Sequence, residues 1–135
     1  WNIPPNQSVL QQVLSELRNG GIRSSLFLDP DSEMVDHVQG VAADRIELYT
    51  EDFASHYAGP ERESVFECYR AAAQRADQLG IGINAGHDLD LQNLAKFLQI
   101  PNILEVSIGH ALVVESLQLG VSQVIERYLA IVDAS

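Results

Sequence analysis

The sequence predicts an α/β protein with a parallel sheet, and three observations carry that prediction. Short apolar runs alternate with segments of helical period, every run is followed by such a segment, and no tight two-residue hairpin signal joins two runs. Alternation of this kind implies right-handed crossovers between parallel strands.

Taken in order, the first helix is expected over residues 8–19, where Val9, Leu10, Val13, Leu14 and Leu17 share one face and Gly20-Gly21 ends the turn. A strand follows over 22–28, closing at Asp29. Asp29-Pro30-Asp31 then reads as a helix start, with a capping carboxylate, a proline at the first helical position and acids in the first turn. Met34, Val35 and Val38 are its inward residues. The second strand is expected over 45–50 and a polar loop over 51–62. A long helix over 63–79 keeps Val65, Phe66, Tyr69, Ala72, Ala73, Ala76 and Leu79 in the 3.6-residue period. The third strand, 81–85, runs into Gly86-His87-Asp88. Asp90 is placed to cap a short helix with Leu91, Leu94 and Leu98 on its apolar stripe. The fourth strand, 103–108, runs into Gly109-His110, and helices over 111–119 and 121–132 divide at Gly120. Four apolar parallel strands need cover on their faces. An open doubly wound sheet and half of a barrel both meet that need, and periodicity does not choose between them.

The 135 residues suit one domain, and 46% hydrophobic residues supply a core. No run approaches the roughly 18 apolar residues of a membrane span. The opening Trp-Asn-Ile-Pro-Pro-Asn lacks a signal-peptide layout, and the single Cys68 cannot form an internal disulfide. A reduced, cytoplasmic protein is expected. Eight Lys and Arg against nineteen Asp and Glu give a net charge of −11. That balance opposes binding to nucleic acid or to an anionic membrane surface. Any phosphate must therefore be held locally, by backbone N–H groups at a helix N-terminus.

Chemistry in parallel α/β folds collects at the C-terminal strand ends. Those positions hold Asp29, residues 47–51, residues 84–88 and residues 107–110. Two of the ends carry Gly-His pairs, Gly86-His87 and Gly109-His110. His87 suits general acid–base work, since an imidazole titrates near neutrality; equally, a loop histidine caps a helix or bonds a carbonyl. Gly109-His110 opens a helix, where free N–H groups can hold an anion. Glu47 lies inside the second strand, where it either points at a substrate or meets a basic side chain of a helix. His37 and His56 read as surface residues, and Cys68 lacks the basic neighbours of a nucleophile. No metal-ligand spacing and no glycine-rich nucleotide motif is present.

Ser-Leu-Phe-Leu-Asp (25–29), Ile-Glu-Leu-Tyr-Thr (46–50), Asn-Ala-Gly-His (84–87) and Glu-Val-Ser-Ile-Gly-His-Ala (105–111) follow one another along the chain. In order and spacing they resemble the last four strands of the pyridoxine 5′-phosphate synthases. The resemblance implies the (β/α)8 TIM-barrel family, here about half a barrel, in a single unit over residues 1–135. It also implies condensation of 3-amino-2-oxopropyl phosphate with 1-deoxy-D-xylulose 5-phosphate, no cofactor or metal, and a homo-oligomer. By the same resemblance His87 is the proton donor and Glu47 is linked to transition-state stabilisation, while Asp88 matches a ligand-contacting position and Gly109 with His110 match the aminoketone-phosphate site. Position 88 departs from the family's frequent glycine. An acid there is expected to turn away from the phosphate and cap the following helix. A whole barrel takes roughly 250 residues, so the chain reads as a piece of one, inactive by itself.

Two other classes compete. A phosphate-binding aldolase would use a strand-end lysine, but the only lysine, Lys96, falls on a helix. A non-enzymatic half-barrel would instead self-associate through its strand edges.

Overall fold

The four short apolar runs form four parallel strands in the computed structural model, which describes residues 1–135. They are β1 (Ser25–Leu28), β2 (Arg45–Tyr49), β3 (Gly82–Gly86) and β4 (Ile103–Ser107). Eight helices surround them: α1 (Ile3–Asn19), α2 (Ser32–Asp36), α3 (Val38–Val41), α4 (Glu51–His56), α5 (Arg62–Gln78), α6 (Leu94–Phe97), α7 (His110–Leu119) and α8 (Val121–Asp133). The α/β class holds.

Strand order in the sheet is β1-β2-β3-β4, the order of the chain. Successive right-handed crossovers in that order put every helix on one face, as in a barrel and unlike a doubly wound sheet. Burial agrees. Leu26 and Leu28, Ile46 and Leu48, and Ile83 and Ala85 line the helix-covered face and are buried. Each such side chain contributes about 1.5–3 kcal/mol by leaving water. Ala72, Ala73 and Ala76 let α5 lie close against the sheet, and Phe53, Tyr69 and Phe97 interlock edge to face with centroids 5.2–6.1 Å apart. The opposite face carries Phe27, Arg45, Glu47, Tyr49, Asn84, Glu105 and Ser107 and has no helix over it.

One irregularity bears on that face. Ile83 pairs with Ile103, but Asn84 pairs with Glu105, which leaves Leu104 as an extra residue in β4. Leu104 and Glu105 both reach the bare face: Glu105 bonds Arg45 there, and a Cβ on Gly82 would lie 3.1 Å from the Leu104 Cδ1.

Several elements differ from expectation. α1 begins at Ile3, because Pro4 and Pro5 occupy first-turn positions that have no intrahelical partner to lose. Its stripe is narrower than expected: Leu10 and Leu14 are buried, whereas Val9 and Val13 face outward. β1 starts at Ser25, and Ile22 is exposed. Pro30 precedes the helix, and Asp31 rather than Asp29 caps it, accepting from the Glu33 and Met34 N–H groups. The segment 51–62 contains a helix, α4, with Glu51 and Asp52 in its first turn and Phe53 fully buried. Near the chain's end, Leu94 and Phe97 anchor α6, while Leu91 and Leu98 are half-buried. No helix is long and apolar enough to cross a membrane.

Candidate functional site

The site forms where β3 ends. His87 and Asp88 follow Gly86 with φ of 91° and 58°, a left-handed stretch that is unusual for residues bearing a Cβ. Three contacts hold the turn there. The Gly86 carbonyl accepts from the Thr50 N–H at 2.9 Å, the Thr50 hydroxyl donates to the His87 carbonyl, and the Asn93 amide donates to the Asp88 carbonyl at 3.0 Å. Such over-determination is what allows a strained backbone to persist at a working site.

This turn sends the Asp88 side chain between two imidazoles. His87 Nδ1 is hydrogen-bonded to Asp88 Oδ2 at 2.8 Å, and His110 Nε2 lies 3.3 Å from Asp88 Oδ1. Asp88 therefore does not cap the next helix, contrary to expectation. Nor does Asp90, whose Oδ1 accepts from the Gln92 and Asn93 N–H groups at 2.8 Å each in the turn before α6; the N-cap of that helix is Asn93, and no side chain caps it. Asp88 is drawn to the histidines because its φ points it back over the strand end, within reach of the start of α7.

Gly109 is the N-cap of α7 and His110 its first residue; no side chain caps the helix, and the space beside Gly109 is open. The first-turn N–H groups thus lack side-chain partners. Next to His110 an open cleft of about 550 Å³ is lined by Asp90, Gln92, Ala111, Val114 and Arg127 among others.

Glu47 projects from β2 onto the bare face, away from the helices, so it meets no basic side chain of a helix. Its neighbours in the strand, Ile46 and Leu48, are fully buried on the other side. The Glu47 carboxylate lies over Gly86, where an added Cβ would come within 2.6 Å of Oε1. Gly86 is the residue that lets this carboxylate reach the strand end. Two residues on, Tyr49 pairs with Gly86 and places its ring 4.6 Å from that of His87, with Phe27 5.7 Å away on β1. Partial removal from water, and then the carboxylates of Glu51, Asp88 and Asp29, hold the Tyr49 hydroxyl above the usual phenol range. It stays a neutral donor.

The polar groups at the other end of the bare face bond to one another. Arg45 Nη1 donates to Asn84 Oδ1 at 2.9 Å and to Glu105 Oε2 at 2.5 Å, and Arg23 reaches the same oxygen at 3.0 Å. Glu115 is likewise occupied. It accepts from the Leu91 N–H and the Tyr128 hydroxyl, pinning α7 and α8 to the loop after β3.

The structure thus joins His87, Asp88 and His110 directly and sets Gly109 beside them. Glu47 comes to the same strand end but makes no hydrogen bond to the trio. His56 lies elsewhere, between Asp52 and Glu61 at the end of α4; its pKa is raised first by its bond to the Asp52 carbonyl. His37 is exposed between α2 and α3, and Cys68 is exposed on α5. No group of three or more His, Cys, Asp or Glu is disposed to hold a metal ion. Asn93 and Arg127 carry no mark in the sequence, while Tyr49 and Thr50 fall inside the strand-end range 47–51 without a role of their own. Strand parity from Glu47 was the available signal for Tyr49; nothing local signals the others. Chemically, an imidazole whose Nδ1 is tied to a carboxylate keeps Nε2 for proton exchange, and an uncapped helix start beside it accepts an anion.

Comparison with known proteins gives this arrangement a family. A family model described as pyridoxal phosphate biosynthesis protein PdxJ matches residues 1–134. The pyridoxine 5′-phosphate synthase of Flavobacterium johnsoniae is 48% identical over 130 residues, covering 96% of this chain and 54% of that protein. Those of Bacteroides fragilis and Albidiferax ferrireducens are 45% and 41% identical, covering 95% and 96% of this chain and 54% and 52% of their own lengths. The chain spans about half the length of the curated relatives it matches. With the PdxJ match running over nearly every residue and relatives this similar, the chain belongs to the PdxJ family.

Proposed function

We propose that this chain supplies the C-terminal half of a pyridoxine 5′-phosphate synthase, a cytoplasmic homo-oligomer that needs no metal or organic cofactor. The reaction joins 3-amino-2-oxopropyl phosphate to 1-deoxy-D-xylulose 5-phosphate and yields pyridoxine 5′-phosphate, phosphate and water. The observation that carries this reading is the meeting of His87, Asp88 and His110 at one strand-end corner beside the uncapped start of α7.

In this reading the aminoketone's phosphate sits on the first-turn N–H groups after Gly109, with His110 as a further donor. His87, oriented through Nδ1 by Asp88, delivers a proton from Nε2 to the reacting carbon skeleton. Glu47, standing over Gly86 on the bare face, opposes positive charge that develops during dehydration. Residues for the deoxyxylulose phosphate come from outside these 135 positions.

The test is complementation. Cells lacking their own synthase should grow without vitamin B6 when this chain is co-expressed with the N-terminal half of the Flavobacterium johnsoniae protein, and His87→Asn should abolish that growth. Product formed by the chain alone overturns the half-site reading. A soluble, paired complex that makes no product overturns the synthase reading.

A second reading, a self-associating phosphate-binding module without catalysis, has one feature in its favour. The outer edges of β1 and β4 are unpaired, and Val121, Ile125 and Leu129 are exposed along α8. A tight dimer that binds no phosphate would favour association alone.

A further inference from the structure

One carboxylate serves two histidines that come from different strand ends. Its two arms are unequal. The arm to His87 is a hydrogen bond of 2.8 Å, whereas the arm to His110 is a 3.3 Å approach without hydrogen-bond alignment. The Asp88 side chain is three-quarters buried, at 25% exposure, while His110 is 71% exposed. The carboxylate is therefore the enclosed member of the pair, and His110 is the accessible partner that meets it.

We propose that Asp88 is a resident anion that ties His110 to His87 and is displaced from His110 when a phosphate binds. This rests on the phosphate-binding reading of the α7 start given above. Two anions cannot share one imidazole N–H without strong mutual repulsion at this range. The incoming phosphate has the first turn of α7 as additional support, and the carboxylate has His87 as its stronger remaining partner. Phosphate binding then concentrates Asp88 on His87 and holds that ring by Nδ1, with Nε2 toward the substrate. Asp88 is thus a positioning residue: arrival at one histidine is converted into orientation of the other. Asparagine and glycine both tolerate the left-handed backbone of position 88, at φ 58°, so either replacement keeps the turn.

The experiment uses the 135-residue chain, with imidazole resonances of His87 and His110 followed by NMR. Without phosphate, His110→Ala should shift the ring resonances of His87 in the wild-type background and leave them unmoved in Asp88→Gly. An equal response in both backgrounds, or none in either, overturns the tie. Titration with inorganic phosphate gives the second readout. Asp88→Asn should bind about tenfold more tightly than wild type, the scale of one like charge removed at short range near the surface. Equal or weaker binding by Asp88→Asn overturns the displacement while leaving the phosphate site intact. If wild type, Asp88→Asn and Asp88→Gly all fail to bind phosphate, the phosphate-site reading falls and takes the displacement with it. The resonance test then decides the tie by itself.

Discussion

On the helix-covered face of the sheet, Ile46, Leu48, Ile83 and Ala85 are sealed from water, while one residue along the same strands Glu47, Tyr49 and Asn84 hold polar atoms over a face that no helix covers. Both sets come from identical backbone. Only the parity of each position decides whether a side chain stabilises the fold or works at the strand end. A second contrast runs along the bare face: Arg23, Arg45, Asn84 and Glu105 bond to one another at one end, while the other gathers Glu47, Tyr49, His87 and Asp88. Charges that satisfy each other contribute order, and those left with unfilled contacts are available for chemistry.

The contrast can be broken most forcefully at Leu48. Leu48→Ala should destabilise by about 3 kcal/mol, the usual cost of a large-to-small change in a fully buried site, measured by urea unfolding. A loss below about 1 kcal/mol would mean that this face is not the core. Gly86→Ala comes next, because its Cβ would press on both the Glu47 carboxylate and the Ser107 Cβ, the latter at 2.9 Å. Overpacking of this kind costs about 1–2 kcal/mol in the same assay, and the larger consequence should be a displaced Glu47 and a lost rate in the complemented enzyme.

A smaller effect belongs to the opposite end of the strands. Asp44 accepts from the Ser24 N–H at 2.8 Å and from its hydroxyl at 3.0 Å, and these bonds hold its carboxyl below the usual range. A lowered folded pKa gives stability that is present above the ordinary carboxylate pKa and is lost as pH falls through the folded value. Asp44→Ala should therefore cost about 1 kcal/mol at neutral pH. It should also flatten the acid limb of the stability profile below pH 4, about the ordinary aspartate pKa. Smallest of all in stability is Glu47→Gln, within about 0.5 kcal/mol of wild type by urea unfolding. That same change should reduce turnover in the complemented enzyme by about a hundredfold or more. Equal turnover would remove Glu47 from the proposed mechanism.

Much of this architecture is legible in the sequence. Glycines and apolar period marked the four strands and the long helix α5, because those signals are local and chemically sharp. The helix α4 is not legible there, since its polar residues outnumber its one anchor, Phe53, whose burial depends on Phe66, Tyr69 and Phe97 arriving from elsewhere. Val9 and Val13 looked like core because periodicity reports a face and not its width. At the site, the two Gly-His pairs stood out by position. The bridging role of Asp88 did not, because it depends on a left-handed turn and on a helix start 22 residues further along the chain. Tyr49 lay within reach of simple parity, whereas Arg127 is brought to the cleft only by how α8 packs.

The extra residue in β4 has a bearing on chain length. Leu104 occupies no pairing position of its own: Ile103 and Glu105 already meet Ile83 and Asn84. A chain lacking that residue would pair evenly, keep Ile103 and Val106 under the helices, and deliver Gly109 and His110 to the same corner. A residue removed from inside β2 would instead exchange the two faces of the strand, exposing leucine and burying glutamate. Position 104 is the seam at which this sheet absorbs an insertion or a deletion, and a one-residue gap there calls for no compensating change elsewhere.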